Sequence, residues 1–225
     1  MATTLAFDVY GTLINTHGVL SLLDDMIGDN AQAFSNTWRE KQLEYSFRRG
    51  LMQNYVPFSL CTEHALDYAC LAHKIALSDD QKTQLLALYK TLPVFDDVKA
   101  GLIQLKAQNY RLFAFSNGAA DAVDMLLKTA GISEFFEGIV SADDMKTFKP
   151  NPGIYSYFLR ETNSTGANTW LISSNPFDVT GAISHGMRSV WIKRSEESIF
   201  DPWEIQPNTI ATDLLDLKDK LENVN

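Results

Sequence analysis

The chain has few cations, few cysteines and no long apolar run. Lys and Arg together number 19 against 28 Asp and Glu, giving a net charge of -9. Phosphate backbones are held by an excess of Lys and Arg, so this balance argues against nucleic acid as a partner. An acidic surface also repels small anions at long range, and any anion site must therefore carry its own local cations. No apolar stretch approaches the roughly 20 residues needed to cross a bilayer, so no membrane contact is expected. The first residues, MATTLAFDVY, lack the basic start and the cleavage site of a secretory signal. The only cysteines are Cys61 and Cys70. With nothing else pointing to secretion, they are expected to be buried free thiols rather than a disulfide. Internal repeats and low-complexity segments are also missing. A soluble cytoplasmic enzyme fits all of these absences.

What is present is a substantial apolar fraction, 45% of 225 residues. That is enough for a sizeable core, arranged as one large domain or as a core with an insertion. Short apolar runs recur at 5–9, 110–115, 138–140, 169–172 and 189–192. Helical patterns lie between them at about 96–108, 119–130, 151–162 and 176–186. Strand–helix alternation of this kind predicts an α/β fold: a Rossmann-like parallel sheet with helices on both faces. The stretch from about 15 to 95 differs, because it carries helical periodicity and hardly any strand signal. So long a segment cannot be a structureless loop. It reads as a helical cap inserted after the first strand, leaving residues 1–14 and 96–225 to the α/β core.

Parallel sheets of this type bind ligands beyond the carboxyl ends of their strands. Four such ends carry polar residues. The first run ends in Asp8, Val9, Tyr10, Gly11 and Thr12, where Gly11 permits a tight turn whose amides can cradle an anion. The second ends in Ser116 and Asn117, just before a helix start. Lys149 precedes Pro150 and Pro152, ahead of the helix carrying Tyr155, and is placed to approach Asp8 and favour its ionised form. The fourth ends in Ser173, Ser174 and Asn175, with Asp178 one turn into the next helix. Each alone has an ordinary explanation. Asp8 can cap a turn, Ser116 and Asn117 can cap a helix, Lys149 can be solvated, and Asp178 can complement a helix dipole. The conjunction of all four, at four separate strand ends, points to a site.

With those residues in view, the sequence resembles the haloacid dehalogenase-like superfamily over essentially its whole length. That superfamily has an Asp nucleophile after its first strand, Ser or Thr after the second, Lys in a third motif and acidic residues in a fourth. Asp8, Ser116, Lys149 and Asp178 stand at those places. The stretches FDVYGTL, WREKQLEYSFRR, FSNG, FKPNPGIY and SSNPFDVTGA look like motifs of the L-2-haloacid dehalogenases within it. Phosphatase members carry a second Asp two residues after the nucleophile and further acidic residues for Mg²⁺. Here the first position is Tyr10, and Asp178 is the only carboxylate of the fourth loop. Mg²⁺ seeks hard oxygen ligands in octahedral array, so neither a metal nor another cofactor is expected.

The resemblance implies hydrolysis of a small 2-haloacid, with water as co-substrate, through an ester on Asp8. It makes Arg39 the halide acceptor, where position alone would give a helix-surface arginine. Ser116, and amides near Tyr10 and Asn117, would hold the substrate carboxylate. Lys149 would neutralise charge during displacement. Thr12, Ser173, Asn175, Tyr155 and Asp178 would order the site and position or deprotonate water. Tyr10, Leu43, Phe58 and Phe177 match apolar wall positions, with core packing as the alternative for the last three. Phe177 stands where a Trp is often found. Selectivity for the L form and homodimerisation through cap helices are likewise implied by the resemblance alone. Three other readings stay open: a magnesium-dependent phosphatase, a hydrolase opening a C–N ring by the same attack, and a non-catalytic binding protein.

Overall fold

The structure is a computed structural model that describes residues 2–223; Met1 and residues 224 and 225 of the expected core span lie outside it. Six parallel strands form one sheet in the order β3-β2-β1-β4-β5-β6. These are β1 (Thr4–Asp8), β2 (Arg111–Ser116), β3 (Gly138–Ser141), β4 (Thr169–Ser173), β5 (Arg188–Ile192) and β6 (Thr209–Ala211). The chain enters at the middle, builds outward to β3, and returns to the other side of β1 through β4. The crevice at that reversal is where an open α/β sheet offers a ligand site.

Alternation along each strand explains the two-sided burial. Leu5 and Phe7 of β1, Leu112 and Ala114 of β2, and Trp170 and Ile172 of β4 face one core. Ala6, Phe113, Phe115 and Leu171 face the other. The first face is covered by α5 (Val98–Ala107), α6 (Ala120–Thr129) and α9 (Leu214–Glu222) through Leu102, Leu105, Val123, Leu126 and Leu217. The second is covered by α7 (Pro152–Glu161) and α8 (Pro176–Ser184) through Ile154, Tyr155, Phe158 and Ala182. Proline in the first turn of α7 and of α8 starts each helix where a missing N–H costs nothing.

Between β1 and α5 the chain is helical: α1 (Leu20–Ile27), α2 (Ala31–Leu51), α3 (Phe58–His73) and α4 (Asp79–Leu88). Their buried Phe34, Trp38, Leu66 and Leu85 join the same apolar cluster as the first face of the sheet. Two strands of contact tie the entry and exit of this segment. Asn15 N donates to Pro93 O at 2.8 Å, and Phe95 N donates to Leu13 O at 3.1 Å. Cys61 and Cys70 are free and buried in α3. No helix among the described residues is long and apolar enough to cross a membrane.

The strand and helix positions read from the sequence recur here, shifted by a residue or two at their ends. Two elements go beyond that reading. β6 is a three-residue edge strand with Ile210 exposed, too short and too polar in context to signal itself. The helix α9 is capped by Asp213, whose side chain accepts from Asp216 N at 2.8 Å, and it buries Leu214, Leu217 and Leu221. That spacing is legible, and it extends the core by one further helix.

Candidate active site

Asp8 is the last residue of β1 and is 6% exposed. Immediately after it the chain turns at Gly11, whose φ of +86° is a left-handed conformation that favours glycine. Gly11 N donates to Ile14 O at 2.8 Å, closing the turn. The turn sends Thr12 back toward the carboxylate.

The two oxygens of Asp8 are treated differently. Oδ2 accepts from Thr12 Oγ1 at 2.9 Å, Ser173 Oγ at 3.1 Å and Asn175 Nδ2 at 2.6 Å. Oδ1 accepts from Lys149 Nζ at 3.0 Å. Three donors saturate the first oxygen, and the second keeps lone-pair density for chemistry. Asn175 Nδ2 also donates to Tyr10 O at 3.1 Å, so two acceptors fix the orientation of this amide.

Lys149 is 1% exposed, and all three of its ammonium protons are used. Besides Asp8 they reach Phe115 O at 3.0 Å and Asp178 Oδ2 at 2.5 Å. The ammonium also lies 4.5 Å from the centre of the Phe115 ring. Burial alone would lower the Lys149 pKa, but the carboxylates of Asp178 and Asp8 outweigh it and raise it. The ammonium form is therefore the resting state. Asp178, fully buried, is pushed up to about 6: burial is the main cause and the charge of Asp8 adds to it, while Lys149 and Tyr155 oppose. Tyr155 donates its hydroxyl to Asp178 Oδ1 at 2.8 Å, and its own pKa is raised well above the ordinary value by burial and by Asp178.

Asn117 serves this cluster indirectly, since its Oδ1 accepts from Lys149 N at 2.8 Å and so anchors the loop carrying the lysine. Ser116 is buried and its Oγ accepts from Gly118 N at 3.0 Å, leaving the hydroxyl proton to point elsewhere. Arg39 approaches from α2. Its Nη2 donates to Tyr10 O at 3.4 Å, and its Nη1 donates to Gln42 Oε1 at 2.6 Å.

Tyr10 and Phe58 form a wall, with ring centroids 6.1 Å apart. Both line a cleft of about 580 Å³ between helices α2, α3 and α4 and the start of α6. Burial pushes the Tyr10 phenol up to about 12, with Arg39 pulling the other way, so it stays neutral. Phe177 packs edge-on against Phe47 at 5.0 Å, in a smaller cleft that also touches Lys149. Leu43 is only partly buried. The structure thus gathers Asp8, Thr12, Lys149, Tyr155, Ser173, Asn175 and Asp178 into one bonded cluster. Arg39, Ser116, Asn117, Tyr10, Phe58 and Phe177 surround it; among the described residues Leu43, on α2, makes none of the hydrogen bonds or ring contacts of this site. Ser174, read from the sequence as a polar residue of the fourth strand end but given no role, donates its Oγ to Gly11 O at 2.7 Å. The residue that sequence reasoning missed is Gln42. Gln42 could have been found, because it lies three residues after Arg39 on one helix.

The donor set does not suit a divalent cation. The space beside Asp8 Oδ2 is filled by N–H and O–H donors, where a cation needs oxygen lone pairs. The residue two after Asp8 offers a phenol ring, and Lys149 already occupies the gap between the two carboxylates. Among the described residues, no group of three His, Cys, Asp or Glu side chains is placed to hold a metal ion.

Comparison with known proteins places the chain in one family. A family model described as haloacid dehalogenase-like hydrolase matches residues 2–186. An (S)-2-haloacid dehalogenase of Pseudomonas sp. strain CBS-3 is 32% identical over 96% of this chain and 94% of its own. Another from Burkholderia cepacia is 33% identical, covering 91% of this chain and 90% of its own. The solved L-2-haloacid dehalogenase of Xanthobacter autotrophicus with chloropropionic acid covalently bound superposes with a TM-score of 0.92. It is 25% identical and covers 100% of both chains.

Proposed function

The chain belongs to the haloacid dehalogenase-like hydrolases, and from that premise we propose that it hydrolyses short L-2-haloalkanoic acids to D-2-hydroxy acids and halide. The observation that carries this reading is the Asp8 carboxylate: one oxygen saturated by three donors, the other facing a buried ammonium.

Asp8 Oδ1 attacks C2 of the substrate, the C2–halogen bond breaks, and its electron pair leaves with the halide. Carbon inverts and an ester forms on Asp8. Ser116 and the amides following it hold the substrate carboxylate, and Arg39 receives the halide. Lys149 stabilises Asp8 before attack and the ester oxygen during hydrolysis. Asp178, oriented by Lys149 and Tyr155, accepts the proton of the water that attacks the Asp8 carbonyl carbon. The Cγ–Oδ1 bond then breaks, the leaving alkoxide takes the second proton of the attacking water, and the hydroxy acid departs with Oδ1. Asp8 is regenerated with one oxygen from water, and Asp178 returns its proton to solvent. Tyr10, Phe58 and Phe177 keep the surroundings apolar and so strengthen the charge interactions within. The segment 15–95 acts as the cap that closes over this chemistry. Covalent capture of chloropropionic acid by the relative supports the ester path.

Halide release from L-2-chloropropionate is the expected result, with D-2-chloropropionate at least about 100-fold slower, a difference of about 2.7 kcal/mol between mirror-image transition states. Activity should survive chelation. Turnover that requires Mg²⁺, or that prefers a phosphate ester, overturns the proposal. A homodimer is part of the same reading, supported by exposed Leu51, Tyr68 and Leu71 on α2 and α3. Sedimentation velocity is expected to give twice the chain mass, and a monomer at micromolar concentration rejects it.

A further inference from the structure

Gln42 is a fully buried side chain that the reaction as derived does not use. Burying an uncharged amide is costly unless its oxygen and nitrogen both find partners. Here both do. Its Oε1 accepts from Arg39 Nη1 at 2.6 Å, and its Nε2 donates to Thr62 Oγ1 at 2.5 Å. Thr62 Oγ1 passes its own proton to Phe58 O at 3.0 Å. The Thr62 carbonyl accepts from Trp38 Nε1 at 2.8 Å, so α2 and α3 are joined at this one residue by two side chains. The direction of the chain of bonds is forced. Arginine only donates, so the amide oxygen must face it, and the amide nitrogen must then face Thr62.

Charge makes the choice of residue informative. Among the described residues, both hydrogen-bond partners of the Arg39 guanidinium are neutral oxygens, those of Gln42 and Tyr10. Glutamate has nearly the shape of glutamine and would pair with Arg39 more strongly. It would also cancel the charge that a departing anion needs. A neutral acceptor holds the guanidinium in place and leaves its full charge available.

We infer that Gln42, anchored by Thr62, is a positioning residue for the displacement step: it aims Arg39 at the leaving halide without neutralising it. This rests on Arg39 being the halide acceptor. As the bond from Asp8 Oδ1 to C2 forms, the C2–halogen pair departs toward a cation already fixed in direction. No proton moves in this step.

The test measures kcat, KM and inhibition by added chloride for Gln42→Glu, Thr62→Val, Thr62→Ser and Arg39→Gln, with L-2-chloropropionate and L-2-bromopropionate. Gln42→Glu is expected to lower kcat on the chloro substrate at least about 10-fold, with KM changed less than about 3-fold, the pattern of an interaction made in the transition state. Chloride inhibition should weaken by a similar factor, and the bromo substrate, with its better leaving group, should suffer less. Thr62→Val should give a smaller loss of the same kind, and Thr62→Ser should restore wild-type behaviour. A folded Gln42→Glu enzyme inhibited by chloride as strongly as wild type overturns the inference. If Gln42→Glu fails to fold, equal kinetics for Thr62→Val and Thr62→Ser overturn it. Chloride inhibition that survives Arg39→Gln overturns the role of Arg39 itself. Inhibition lost in Arg39→Gln but kept in Gln42→Glu overturns the inference alone.

Discussion

Replacing Asp8 with asparagine is expected to reduce halide release by on the order of 10⁴-fold or more, because a covalent path loses its nucleophile outright. An amide oxygen is a poor nucleophile toward carbon. The amide nitrogen has no lone pair to offer. The substitution also disturbs the cluster, since one side of Asp8 faces three donors and the other an ammonium. An Asn side chain can present an acceptor to only one of these sides. Its NH₂ then meets a donor, and one buried donor is left unsatisfied at about 1–3 kcal/mol. Lys149 keeps Asp178 as a partner, so the site does not hold an uncompensated charge. The variant should therefore fold, with a lowered melting temperature and no activity. In wild-type enzyme, a single turnover in ¹⁸O-labelled water should place the label in Asp8 and not in the first product formed. Undiminished turnover by Asp8→Asn, or label appearing first in the hydroxy acid, removes the ester from the mechanism.

The strand ends were readable because a strand buried on both faces is a short apolar run, and the polar residue that stops it stands at the crevice. Asp8, Ser116 and Ser173 are such stops, each the last residue of its strand. Resemblance then supplied Arg39 and the apolar wall. Partner geometry was not readable. Nothing in the spacing of Lys149 shows that it lies between two carboxylates, or that Asn117 grips its backbone. Those contacts join segments about 30 to 140 residues apart, and only the folded sheet brings them together. Helix α2 shows a subtler limit. Along α2 the buried positions are Ala31, Phe34, Ser35, Trp38, Gln42 and Ser46, a helical stripe that turns polar where it nears the site. Hydrophobicity selects Leu43 on that helix, yet its neighbour Gln42 is the buried one. Apolar periodicity finds faces packed against oil-like surroundings, and a face packed against Arg39 and Thr62 leaves no such signature.

Asp178 should separate the two halves of the reaction. Asp178→Asn keeps the side-chain shape and an acceptor for Lys149 or Tyr155, but removes the carboxylate proposed as the base toward water. Displacement, which the proposal assigns to Asp8 and Lys149, should continue. Ester hydrolysis should slow by roughly 10²–10⁴-fold, the usual contribution of a positioned general base. Each active site then releases about one halide and stops, with the protein heavier by one carboxyalkyl group on Asp8. The wild-type pH profile should show the same dependence. A base held at about 6 is protonated as pH falls through that value, so kcat should decline below it with a midpoint near 6. Stability runs the other way for this group. Its folded pKa lies above its ordinary value of 3.8, so the folded protein binds the proton before the unfolded chain does. The cost of burying the charged form is present above about 6 and is relieved as pH falls from there toward 3.8. Activity lost through this window is therefore not unfolding caused by Asp178, and near-ultraviolet circular dichroism should stay native while kcat falls. An Asp178→Asn enzyme that turns over repeatedly with no trapped ester, or a wild-type profile flat through pH 6, would assign the water-activating role to another side chain.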